Sequence, residues 1–116
     1  WKRGHCGAML AWAFVDYLLV RGTYDCAGDH AGGWETSHLM ALHPDTVRLD
    51  NLPPKGERLI GAGGKMAPQD ATAAFGKETL EAAAEVAIKE VQHRLSNKSS
   101  YAGHGVGLRE GLWRKG

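Results

Sequence analysis

The sequence predicts an α/β protein, and three observations carry that prediction. A long amphipathic pattern runs from Lys77 to Leu95, a denser apolar run covers Ala8 to Val20, and a short strand-like run sits at Val47 to Leu49 among glycine-rich connections. Helical periods separated by strand-like runs suit helices layered on a sheet. At 116 residues there is room for one domain or part of one.

Charge and composition exclude several classes. Lys plus Arg number 14 against 13 Asp plus Glu, a formal charge of +1, which gives no overall attraction to nucleic acid. The longest apolar run, Met9 to Val20, is broken by Asp16 and is too short to cross a bilayer. Glycine, at 16 residues, is about twice its usual ~7% share while proline is only 4, a balance that favours tight loops over a disordered chain. Two cysteines, Cys6 and Cys26, are too few for a disulfide framework, and no signal peptide is visible, so a cytoplasmic protein is expected. The first residue is Trp1 rather than Met, and the N-terminus is read as a truncation.

Taken in order, Ala8 to Val20 is apolar on almost every face and predicts a buried helix behind a turn at Gly4 and Gly7, with a buried strand as the alternative. Arg21 to Gly33 carries four glycines with Asp25, Asp29 and His30 and has no apolar period, so it predicts a loop. Glu35 to Leu42 predicts a short helix capped near Thr36 or Ser37, burying Leu39, Met40 and Leu42 and ended by His43-Pro44. Val47 to Leu49 predicts a brief strand, and Asn51 to Gly64 a long connection. Asp70 is placed to cap a short turn, Ala71 to Phe75, interrupted by Gly76.

From Lys77 to Leu95, Leu80, Ala84, Ala87, Ile88, Val91 and Leu95 recur at steps of three and four and predict a helix that packs through Leu80, Ile88 and Val91. Glu85 with Lys89, and Glu90 with Arg94, add i,i+4 pairs worth about 0.3 kcal/mol each. The expected organisation is a folded portion over residues 1–95 and a loose Gly/Ser-rich tail over 96–116.

The richest chemistry lies in Asp29 to Ser37, where a histidine, two carboxylates, two hydroxyls and an aromatic ring fall within nine residues. An imidazole moves protons near neutral pH, the glycines let backbone approach a ligand, and Asp29 or Glu35 is placed to orient His30. The bland alternative makes Glu35, Thr36 and Ser37 mere caps of the next helix and His30 an ordinary loop residue.

The run Gly28-Asp29-His30-Ala31-Gly32-Gly33-Trp34-Glu35-Thr36-Ser37, followed by Leu39-Met40-Ala41-Leu42 and Pro44-Asp45-Thr46-Val47, closely resembles the His-Ala-Gly-x-x-Glu-Thr-Ser motif of the creatininase (creatinine amidohydrolase) family. The resemblance extends through Gly61, Asp70-Ala71-Thr72, Gly76 and the long helix, covering roughly residues 28–95. It implies a three-layer α/β/α fold, of which this chain is the C-terminal portion. It also implies a metal-dependent hydrolase that cleaves a C–N bond of a cyclic or linear amide, with zinc, manganese or iron as the divalent metal, and a homo-oligomer. His30 matches the family's proton-transfer histidine. Glu35 is implied as an orienting or metal-proximal carboxylate, and Trp34 and Asp29 as substrate-binding residues.

Departures from the family limit this expectation. No Glu-x-His occurs in the chain, although the family draws metal ligands from one. Arg3-Gly4-His5-Cys6-Gly7-Ala8 resembles a degraded form of the family's Asn-Gly-His-Gly-Gly-Asn segment, which makes His5 a candidate metal ligand, but both asparagines are missing and only 24 residues separate His5 from His30. An incomplete metal centre is therefore expected, in a partial protein, a truncated form or a divergent non-catalytic relative that serves assembly.

Weaker signals complete the reading. Cys6, His5, Cys26 and His30 match no common zinc module. Gly61 to Lys65 lacks the spacing of a phosphate-binding loop. His38 and His43 read as packing or surface residues, and His93 and His104 as uninvolved.

Overall fold

A computed structural model describes residues 12–101. Of these, 57% are helical and 2% are extended and paired, and there is no sheet among them, so the predicted three-layer α/β/α architecture is corrected to an α-helical one. The elements are α1 (Asp16–Val20), α2 (Gly33–Leu42) and α3 (Ala73–Ser96), with single 3₁₀ turns at Pro44–Thr46, Leu49–Asn51, Pro68–Asp70 and Lys98–Tyr101. No described helix is long and apolar enough to cross a membrane.

The strand expected at Val47 to Leu49 is absent for a local reason. Pro44 opens one 3₁₀ turn, Leu49 opens another, and Arg48 Nη1 donates to the carbonyls of Asp45 (2.7 Å) and Val47 (3.0 Å), which closes the backbone on itself. Three residues folded this way offer no edge to a neighbour. The only extended pairing among the described residues is the antiparallel bridge between His30 and Gly63, both of whose hydrogen bonds measure 2.8 Å.

The helix expected over Ala8 to Val20 is also reduced. Within the described residues it spans only five positions, and Phe14, Val15 and Leu18 are exposed while Val20 is buried. An apolar run with no periodicity needs cover on all faces, and here one face has it.

Residues 15–87 form one compact unit. Its core is Val20, Ala27 and Trp34, with Tyr17, Tyr24, Phe75, Ala82 and Ala83 packed around them. The Trp34 ring meets Tyr24 at 6.0 Å, Phe75 at 6.0 Å and the His38 imidazole at 4.8 Å between centroids, the last two edge-on, a favourable arrangement for aromatic quadrupoles. Burying tryptophan fully is unusual and needs small neighbours, which Ala27, Ala82 and Ala83 supply.

The two longer helices touch backbone to backbone. Gly76 is not an interruption but an interior residue of α3, and a Cβ there would collide with the Ser37 carbonyl. Ser37 is fully buried on α2; its hydroxyl donates to Gly33 O (2.6 Å) and accepts the Thr72 amide (3.1 Å). Thr72, rather than Asp70, caps α3 by accepting the Phe75 amide at 3.1 Å. Asp70 instead pairs with Lys55 at 2.6 Å, and Gln69 donates to Pro53 O at 3.0 Å, which pins the long connection after Asn51.

This approach decides which face of α3 is buried. Gly76 and Thr79 are buried, Phe75, Ala82 and Ala83 lie against the core, and Ile88, Val91 and Leu95 of the expected stripe are exposed. The same holds for α2, where Leu39 and Leu42 are exposed and Trp34 and Ser37 are inside. The described residues of the second unit are 12–14 and 88–101, and within it Arg94 bonds Glu90 at 2.7 Å and stacks over the Trp12 ring at 4.6 Å. The helix reaches Ser96, one residue into the segment expected as loose tail, and a further turn follows to Tyr101.

Candidate functional site

The segment from Asp29 to Glu35 is built by two carboxylates that act in opposite directions. Asp29 reaches forward: Oδ2 accepts the Trp34 amide at 2.7 Å and Oδ1 the Glu35 amide at 3.1 Å. Glu35 reaches back, and its Oε2 accepts the Ala31 amide at 2.7 Å. The N-cap position is Gly32, which has no side chain to offer, so the amides of the first turn are taken by Asp29 three residues before it, while Glu35 reaches the amide one residue before it; neither Thr36 nor Ser37 caps α2.

The remaining amides of the segment are held from the other side. His30 N–H donates to Gly63 O and Gly33 N–H to Met66 O, each at 2.8 Å. Ala31 sits at φ +50, an unusual conformation for a residue with a Cβ, fixed by the Glu35 bond on one side and the His30–Gly63 bridge on the other. Gly32 and Gly64 both lie against the Asp29 side chain, where a Cβ would overlap it. The motif glycines thus make room for the cap.

The structure separates the predicted site residues. His30 on the loop and Glu35 in the first turn of α2 are exposed, and Asp29 is half-buried. Trp34 is 2% exposed, its ring inside the core. His5 lies outside the described residues, as does Cys6 of the four-residue zinc set. Among the described residues no three His, Cys, Asp or Glu side chains are placed to hold a metal ion. At Cys26 burial pushes the thiol up and the charges of Asp25 and Asp29 add to that, while a backbone hydrogen bond and the Lys65 ammonium oppose it. The described residues alone hold no metal centre, and His5, the ligand that the family resemblance implies, lies outside them.

Two contacts were not specified by the sequence reading, which gave His38 only as a packing or surface residue. His38 Nε2 lies 2.9 Å from Thr79 Oγ1 and joins α2 to α3 beneath the loop. Gly63 is the backbone partner of His30; the glycines at 61, 63 and 64 marked a loop, but nothing in one sequence says which segment it pairs with. An open apolar groove of ≈ 530 Å³, lined by Leu42, Ala73, Ala74, Lys77 and Leu80 among others, lies at the opposite end of α2 from His30.

Comparison with protein-family models, with curated proteins and with solved structures gave no match.

Proposed function

We propose that the chain carries the proton-transfer loop of a creatininase-like amidohydrolase, with His30 as the catalytic residue. The observation that supports this is the contrast within the motif: Asp29 and Glu35 are engaged by backbone amides, while the His30 imidazole is exposed on a backbone held at both ends. Such a loop presents a titratable ring with little reorganisation.

Hydrolysis of an amide adds the hydroxyl of water to the carbonyl carbon and breaks the C–N bond. The leaving nitrogen must be protonated as it departs, and His30 delivers that proton and recovers one from the water. The reading follows from the resemblance of Gly28 to Ser37 to the family motif, and no step is routed through a metal.

The test is hydrolysis of creatinine and of small linear formamides by the purified chain with added zinc, manganese or ferrous iron, with and without a chelator. Chelator-sensitive release of the amine supports the reading. No turnover with any metal contradicts it.

A second reading, a non-catalytic subunit that serves assembly, is favoured by the apolar groove and by the exposure of Leu39 and Leu42 beside it. Sedimentation of a single inactive homo-oligomeric species supports it.

A further inference from the structure

We propose that Glu35 is a positioning residue, not an acid or a metal ligand: its carboxylate holds the Ala31 amide, as Asp29 holds the amides of Trp34 and Glu35, and the two together lock the backbone that presents His30. This rests on the reading of His30 as the catalytic residue.

The amides of His30, Ala31, Gly33, Trp34 and Glu35 all have acceptors, namely Gly63 O, Glu35 Oε2, Met66 O and the two oxygens of Asp29. Only two of these acceptor groups are side chains, and both are carboxylates of the Asp29 to Glu35 segment. At 2.7 Å the Ala31 amide to Glu35 bond is as short as charge-assisted bonds usually are. It spans four residues and closes a ring around Ala31, the one non-glycine residue with positive φ among those described. The His30–Gly63 bridge and the Gly33 to Met66 bond hold the flanking residues, but Glu35 is the acceptor of the Ala31 amide itself, and removing the carboxylate frees Ala31 to return toward an ordinary conformation, which would shift the adjoining His30. The first helical amides are likewise engaged, since those of Gly33, Trp34 and Glu35 donate to Met66 and Asp29 and none of these three is left for a substrate oxyanion.

Glu35→Gln keeps an acceptor oxygen for the Ala31 amide and removes the charge and the proton; Glu35→Ala removes both functions. On the isotope-labelled full chain, amide exchange at Ala31 is expected to stay within about threefold of wild type in Glu35→Gln and to accelerate about tenfold or more in Glu35→Ala. With creatinine as substrate, Glu35→Gln is expected to keep kcat within about fivefold with an unmoved pH–rate profile, and Glu35→Ala to lose about tenfold or more. Loss of turnover in Glu35→Gln with the Ala31 amide still protected overturns the proposal, as does Ala31 exchange that is unchanged in Glu35→Ala. If the wild-type chain hydrolyses no amide, the His30 reading fails by itself, and Ala31 exchange still decides whether Glu35 holds the loop.

Discussion

His38 donates its Nε2 hydrogen to Thr79 Oγ1 across 2.9 Å, and the direction follows from the threonine's other contacts. The Thr79 hydroxyl has one hydrogen, directed at Phe75 O (2.9 Å) and Gly76 O (3.2 Å), so toward His38 it acts as the acceptor. The neutral ring therefore carries its proton on Nε2. Thr79 is fully buried, and the His38 ring lies edge-on to Trp34, so this bond ties α2 to α3 next to the core.

A pH dependence of stability follows. Burial lowers the His38 pKa below the ordinary histidine value, and the charges of Asp16, Asp29 and Glu35 oppose that shift. The folded chain then binds fewer protons than the unfolded one, so stability is complete above about pH 6.5 and declines as the pH falls toward the lowered folded pKa. Thermal melts at pH 7.5 and 5.5 are expected to show a larger fall in Tm for wild type than for His38→Gln, which keeps a donor to Thr79. Equal falls would remove His38 as the cause.

At Gly76 the helix gains from alanine and the packing loses. The intrinsic preference of a helix interior for alanine is worth about 1 kcal/mol. The new Cβ, however, lands on the Ser37 carbonyl, which is backbone and cannot rotate away. Overpacking of this kind costs about 1–3 kcal/mol or more, so Gly76→Ala is expected to lower the urea midpoint with an unchanged m-value. A raised midpoint would mean that the helices are not in backbone contact.

Asp29→Ala removes the acceptors of two helix amides at a half-buried position. A lost N-cap costs about 1–2 kcal/mol, and Asp29→Asn, which retains one acceptor oxygen, is expected to fall between the two. Denaturant titration of the three proteins checks the order.

What was legible in the sequence was mostly local. The C-terminus of α2 at Leu42 follows from the restriction that Pro44 places on His43, and α3 follows from its run of helix-forming residues. The buried faces were not legible, because within residues 15–87 they are set by long-range contacts between α2 and α3, the approach of Gly76 to the Ser37 backbone and the His38–Thr79 bond among them. Exposed Ile88 and Val91 fit the period better than buried Thr79 does. The layered sheet was expected from a run at Val47 to Leu49 too short to pair, and Arg48 turns it back on itself. Within the candidate site, the dense polar run is legible as a loop leading into a helix, but its cap is not: the sequence points to Thr36 or Ser37, and the first-turn amides are held by Asp29. The sequence shows only that Asp29 and Glu35 are near; it does not show that each holds the other's end of the segment.

The central claim is that His30 moves the proton in amide hydrolysis, and its most direct test is kcat/KM for creatinine in wild type and His30→Ala, measured beside their melting temperatures. His30 is exposed, so its side chain carries little packing, and the substitution is expected to leave Tm within about 2 °C of wild type. A positioned proton-transfer group contributes about 10²–10⁴-fold, so kcat/KM is expected to fall by at least ~100-fold. Turnover that survives His30→Ala in a folded protein would contradict the assignment.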